Sequence, residues 1–344
     1  MQDNRVAAEY AARLFSKITP ALRYDGAESM ESWQARAKQR LTALLGMDKM
    51  LPAEEDAFEV VKEFDAEGGH AIEFKFQSEP DYFVPCYLLL PHGYDGEKLP
   101  ACICIQGHST GMHNSLCINE DGTPLDGEKA AFIREGDRDF AVRAVKEGYA
   151  AFCIEQRYMG KTGTFREGPG CAKGVHSMAT VLLGRCAIGE RVWDVMRLID
   201  VIEKHFPQLD TENLLCLGNS GGGTATFYAA CMEERIRRAM PSCGFCTFQD
   251  SIVDLRHCAC NYVPGIAYDF DMGDLAGLIA PRDLIIVHGA KDEIFPDFGV
   301  RKAFDQAKIM FDSFGGNLML VTGDDGHRFY ADQGWSAVRR LENR

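Results

Sequence analysis

The chain has 344 residues, 46% of them hydrophobic and 26% charged, and its 37 Lys and Arg against 51 Asp and Glu give a formal net charge of −14. That composition buries one large core or two modest ones and excludes a disordered chain. The cations are scattered, with no block longer than a pair, which argues against nucleic acid and anionic membrane as partners, since both are held by massed Lys and Arg.

In chain order, the opening MQDNRVAAEYAARLF mixes acids among its apolar positions and lacks the basic start and apolar stretch of a secretory signal. No run approaches the ~18 apolar residues of a membrane span, so the expected compartment is cytoplasmic. In SWQARAKQRLTALLGM, Trp33, Ala37, Leu41 and Leu44 recur at helical spacing, Ser29 or Ser32 is available as a cap, and Gly46 as a stop. Residues 1–52 therefore read as an N-terminal helical extension on a domain formed by residues 53–344. From Phe58 the period changes to two in FEVVKEF, HAIEFKFQ and YFVPCYLLLP, which predicts a small antiparallel set of strands.

After Pro100, short apolar runs alternate with helical segments. The runs are ACICIQG, AAFCIEQ, NLLCLGN, AMPSCGF, DLIIVHG and LMLVTG; the helices are DFAVRAVKEGY, the long stretch from His176 to His205, GGTATFYAACM and VRKAFDQAKIMFDSF. Uninterrupted apolar runs suit parallel strands covered on both faces by crossover helices. The fold class is therefore α/β, a mostly parallel doubly wound sheet with an antiparallel start, and its site belongs at the carboxyl ends of the strands. Two long segments, about Ser109 to Glu135 and Arg157 to Gly174, follow strands on that side and are expected to wall a pocket.

Gly218-Asn-Ser220-Gly-Gly222 fits G-x-S-x-G between a strand and a helix, the context in which a serine becomes an exposed nucleophile on a tight turn. Glycine-rich turns also cradle phosphates, but here the glycines follow a later strand than the first, and no Walker lysine is present. Asp292 follows DLIIVHG and His327 follows NLMLVTG, so the order serine, acid, histidine falls at three successive strand ends. In that arrangement His327 takes the Ser220 proton and Asp292 fixes the imidazole tautomer. The oxyanion donors are expected from the N–H groups of Gly221 and His108, with Ser109 behind. Asp250, Asp324 and Asp325 are the other candidate acids. His70 and His205 read as surface residues, His288 as packing beside the acid loop, His113 and Arg157 as pocket candidates, and Glu155 with Arg157 as an ion pair supporting the site.

Thirteen cysteines, an odd number, without an export signal fit reduced thiols better than a disulfide framework. Cys243-Gly-Phe-Cys246 followed by His257-Cys258-Ala-Cys260 has some of the look of a zinc site, but the second spacing is irregular, and packing is the expectation. The CxxC pair leaves a strand, whereas a redox pair opens a helix.

LPACICIQGHSTG, AAFCIEQRYMG, LLGRCAIGERVWDVMRLID, CLGNSGGG, IAPRDLIIVHGAKDEIFP and DDGHRFY together resemble the bacterial α/β-hydrolases grouped around dienelactone hydrolase and acetyl xylan esterase, from about Trp33 onward. The resemblance implies an α/β-hydrolase fold, Ser220 as nucleophile, Asp292 as acid, His327 as base, His108 and Gly221 as oxyanion donors, and no metal or organic cofactor. Dienelactone hydrolase carries a cysteine where this chain has Ser220, which favours carboxylic ester chemistry on a small-molecule ester, such as an acylated sugar. A serine peptidase of the prolyl-oligopeptidase type shares the fold and residue order but needs a propeller domain that this length does not hold. A non-catalytic binding protein on a hydrolase fold is the remaining alternative. Acyl and alcohol specificity and oligomeric state are not legible.

Overall fold

A computed structural model describes residues 7–53, 57–108, 111–163 and 175–343. Ser109 and residues 164–174 of the second expected wall lie outside the described residues.

Nine strands form one sheet: β1 (Phe58–Ala66), β2 (Gly69–Glu79), β3 (Tyr82–Pro91), β4 (Pro100–Ile105), β5 (Ala150–Ile154), β6 (Asp210–Asn219), β7 (Arg238–Ser242), β8 (Asp283–Gly289) and β9 (Leu318–Gly323). Their order is β1-β2-β3-β5-β4-β6-β7-β8-β9. The pairs β1 with β2, β2 with β3 and β3 with β5 are antiparallel, and every pair from β5 to β9 is parallel. The expected antiparallel set is thus the first third of a single sheet, joined through Cys86 to Leu89 against Ala151 to Ile154.

The helices are α1 (Ala7–Phe15), α2 (Met30–Leu45), α3 (Gly127–Glu135), α4 (Phe140–Lys146), α5 (Val175–Ala179), α6 (Ala187–His205), α7 (Gly221–Met232), α8 (Met272–Leu275), α9 (Asp297–Phe314) and α10 (Ala331–Glu342). Every residue of β5 and β8 is buried, which explains why these runs read as continuously apolar. Along β4 the residues alternate between two cores. Ala101, Ile103 and Ile105 join Trp33 of α2, Val192 of α6, Phe227 of α7 and Val300 of α9, while Cys102 and Cys104 join Phe140 of α4 and Trp335 of α10.

The N-terminal extension shares the first of these cores. Ser29 caps α2 by accepting from the Ser32 N–H at 3.3 Å, Gly46 ends the helix at φ 69°, and Trp33, Ala37, Leu41 and Leu45 are buried. Leu45 rather than Leu44 completes the buried face, and Leu44 packs only partly against the core.

Two expectations need correction. The stretch from His176 to His205 is not one helix, because Gly184 adopts φ 71° and α6 begins afresh at Ala187. The segment after Ser109 is not all loop: it contains α3, whose short apolar side, Ala130 and Ile133, carries a weak helical signal.

Candidate active site

Ser220 stands between β6 and α7 with φ 57° and ψ −122°. A non-glycine residue there costs of order 1–3 kcal/mol, so the surroundings must impose it. They do so by close approach. A Cβ built on Gly218 would lie 2.5 Å from the Gly222 carbonyl oxygen, and one on Gly222 would lie 2.1 Å from the Ile105 carbonyl oxygen of β4. The Ser220 N–H donates to the Ser242 carbonyl of β7 at 2.8 Å, and its own carbonyl accepts from the Thr224 N–H at 2.8 Å. The turn is pinned on both sides, and Ser220 is half-buried where the preceding strand residues are buried.

The loop after β4 meets this turn. A Cβ on Gly107 would come within 3.1 Å of Ser220 Cβ, and one on Gly221 within 2.6 Å of the His108 ring. Gly221 opens α7, so its N–H has no partner within the helix and adds to the positive end of the helix dipole.

Asp292 and His327 are joined directly: His327 Nδ1 lies 2.8 Å from Asp292 Oδ2. The other carboxylate oxygen, Oδ1, accepts from the N–H groups of Ile294 at 2.8 Å and Phe295 at 3.0 Å. Burial pushes the carboxyl pKa up, but the His327 hydrogen bond and charge, with the two N–H groups, outweigh it, and the pKa lies below the usual value. Phe295 stacks on the His327 ring with centroids 6.0 Å apart and planes 14° from parallel. The residue after the histidine ties this pair to the serine turn, since the Arg328 carbonyl accepts from Cys243 Sγ at 3.2 Å and from Ser242 Oγ at 3.5 Å.

The other candidate acids are engaged elsewhere. Asp250 accepts from Thr247 Oγ1 at 2.6 Å and Lys302 Nζ at 2.9 Å. Asp324 and Asp325 are exposed in the turn before His327, where the Asp325 carbonyl accepts from the Lys291 N–H. His288 is buried beside the acid loop, its Nε2 2.7 Å from Asp297 Oδ1. His70 lies between Glu63 and Asp65, and His205 stacks on Phe58 at 4.2 Å, half-buried rather than on the open surface.

The expected Glu155–Arg157 ion pair does not form. Arg157 points into a buried group instead, donating to Asp194 at 2.7 and 2.8 Å and to Glu79 at 2.6 Å. Arg185 donates to the same Glu79 at 2.7 and 3.1 Å. Glu155, two positions before Arg157 and just past the end of β5, is taken up elsewhere and accepts from the N–H groups of Met112 at 3.3 Å and Lys161 at 3.2 Å. Burial pushes its carboxyl up to about 8. His113 lines a cavity of about 470 Å³ with Asn114, Leu125, Phe132 and Gly160; none of Ser220, Asp292 and His327 borders it. Arg157 does not border it either.

The two cysteine pairs do not assemble with each other as a four-ligand group. Cys243 (φ 46°) lies within 4.8 Å of the ligand atoms of Asp292 and His327. Burial first, and then the Asp292 charge, push its thiol far above the usual range. Cys246 faces the Pro296 carbonyl, and His257 is held by Ser251 Oγ at 2.8 Å and Asn261 Nδ2 at 3.3 Å. Cys258 and Cys260 instead gather with His108. No disulfide joins the described cysteines. The sequence missed the Phe295 stacking and the His108–Cys260 contact, because each partner lies far away along the chain.

A mostly parallel sheet of this order, covered on both faces, with a serine on a strained turn and an Asp-His pair at later strand ends, defines the α/β-hydrolase fold. No known family's sequence profile matches the chain. The "Putative hydrolase YtaP" of Bacillus subtilis (strain 168) is 25% identical over 279 residues, 78% of this chain and 90% of that one. Among solved structures, a "putative acetyl xylan esterase" of Bacteroides fragilis NCTC 9343 superposes with a TM-score of 0.81 at 16% identity, covering 100% of this chain and 97% of the other. A glucuronoyl esterase of Solibacter usitatus gives 0.66 at 14% identity over 95% of this chain and 98% of its own. Acetyl xylan esterase 1 of Thermoanaerobacterium sp. JW/SL YS485 gives 0.57 at 15% identity over 96% of each chain. No helix among the described residues is long and apolar enough to cross a membrane.

Proposed function

We propose that the protein is a serine carboxylesterase acting on carbohydrate esters. Ser220 attacks the ester carbonyl, His327 takes its proton and later returns it to the leaving alcohol, and Asp292 holds the imidazole with Nε2 free to act. Water then attacks the acyl-enzyme with His327 again as base. The N–H groups of Gly221 and His108 receive the oxyanion.

The observation that carries this reading is the strain at Ser220, held at φ 57° by neighbours that would collide with any side chain on Gly218 or Gly222. The Asp292–His327 bond at the ends of β8 and β9 supports the same reading. So do the neighbours, whose names describe esters of sugars or sugar acids. Serine at position 220 suits an ester substrate, and an acetylated sugar is the favoured one. The run of reduced cysteines suits a cytoplasmic enzyme acting on imported small esters.

Hydrolysis of p-nitrophenyl esters from acetate to octanoate by the wild type and Ser220→Ala tests it. Acetate turnover that vanishes in Ser220→Ala is the expected result, followed by acetate release from acetylated oligosaccharides. A folded wild type inactive on every ester overturns the proposal.

A further inference from the structure

We propose that His108, Cys258 and Cys260 form a chelating site for a soft thiophilic cation, zinc or cadmium, beside the serine turn. His108 Nε2 lies 3.1 Å from Cys260 Sγ, and the ligand atoms of all three residues fall within 4.8 Å of one another. Metal–sulfur bonds of ~2.3 Å and metal–nitrogen bonds of ~2.0 Å place tetrahedral ligand atoms roughly 3.5–3.8 Å apart, so small side-chain adjustments complete the geometry. The ring is already aimed: its Cε1–Nδ1 edge rests against Gly221, and Nε2 turns to the sulfur.

A single thiol would satisfy the imidazole with one hydrogen bond. The second thiol makes the group a chelate. Cys258 and Cys260 are two apart across the start of a one-turn 3-10 helix at Ala259–Asn261. Cys260 is buried against Met159 and Ala187, which fixes one ligand, while half-buried Cys258 leaves an entry path. Two sulfurs and one imidazole select zinc, cadmium or copper(I) over magnesium or calcium, whose preferred oxygen ligands the trio lacks. Binding drives two protons off the thiols, so the added charge is balanced, and three protein ligands leave a fourth position open.

Occupation clamps the turn after β4 to the Ala259–Asn261 helix. Resting on the reading of His108 as an oxyanion donor, this predicts that the loaded protein loses ester hydrolysis, because the donor turn can no longer adjust to the tetrahedral intermediate.

The test uses the full chain, kept reduced and stripped with a chelator, and titrated with cadmium chloride. The readouts are the thiolate-to-cadmium absorbance in the ultraviolet and equilibrium dialysis. The expected result is one cation per chain. Affinity should fall at least about a hundredfold in Cys258→Ser and in Cys260→Ser, beyond the ten- to hundredfold that outer partners command. Ser220→Ala should bind as the wild type does, so an absence of esterase activity in every form would remove the esterase reading and leave the site standing. Zinc should suppress hydrolysis in proportion to occupancy, with recovery on adding EDTA; full hydrolysis by loaded protein overturns the inhibitory role. Absence of the band overturns the site, as does a band that survives both serine variants and disappears in Cys243→Ser, which would assign the metal to the Cys243, Asp292 and His327 group.

Discussion

His327 presents Nδ1 to Asp292 at 2.8 Å, and this bond leaves Nε2 as the ring nitrogen that the proposed reaction requires as base. Asn at position 292 keeps the size but offers an amide donor that favours the wrong tautomer, so Asp292→Asn should lower kcat by about 10⁴ with the fold intact. Asp324→Asn, in the exposed turn, should keep wild-type kcat. Equal losses in the two variants would refute the assignment of the acid. The depressed Asp292 pKa also carries a stability signature. Its contribution is present above the unfolded value and is lost as pH falls through the folded one, so the Asn variant should show a shallower decline in Tm on acidification than the wild type.

Arg157 sits between Asp194 and Glu79, all three buried. Removing the cation leaves two carboxylates in low dielectric without their main partner. Arg157→Met should therefore destabilise the protein by about 3–5 kcal/mol by denaturant unfolding, far more than an exposed pair such as Lys308 with Asp312 would cost. A loss below about 1 kcal/mol would mean that Arg185 alone satisfies the cluster.

Glu155 offers a pH test in the opposite direction. Burial raises its carboxyl to about 8. Between the ordinary Glu value of about 4.3 and that folded value, the native state holds a proton the unfolded chain has released, so the protein loses stability as pH rises. Glu155→Gln removes the linkage while keeping an oxygen for the Met112 N–H. The Tm of the variant relative to the wild type should rise steadily across that interval; parallel Tm curves would show that Glu155 is charged in the folded state.

How far the sequence reached depends on the range of the physics involved. Strands β4 to β8 were legible because burial leaves apolar runs, the half-buried edge strand β9 because LMLVTG keeps the same form, and the Asp292–His327 bond because each residue follows such a run. The partners of Arg157 were not, since Asp194 and Glu79 lie 37 and 78 residues away and only the folded sheet brings them to one side. Pattern pointed to Glu155, two positions off, but the chain leaves strand geometry after Ile154, and that carboxylate is taken up by the Met112 and Lys161 N–H groups. The break at Gly184 was hidden for a related reason: the apolar spacing continues across it, and only the positive φ shows that the glycine ends one helical segment before α6 begins.

The last prediction concerns what the Ser220 conformation costs. At φ 57° and ψ −122° any residue with a Cβ is strained, and glycine alone reaches that region freely. Ser220→Gly should raise unfolding free energy by about 1–2 kcal/mol, the strain released less the extra entropy glycine brings to the unfolded chain, while abolishing ester hydrolysis. Ser220→Ala keeps the Cβ and therefore the strain, so it should abolish hydrolysis without that gain. Chemical denaturation of the three proteins side by side checks the difference. A glycine variant no more stable than the alanine variant would mean that the turn imposes no strain on Ser220, and would remove the observation on which the nucleophile assignment chiefly rests.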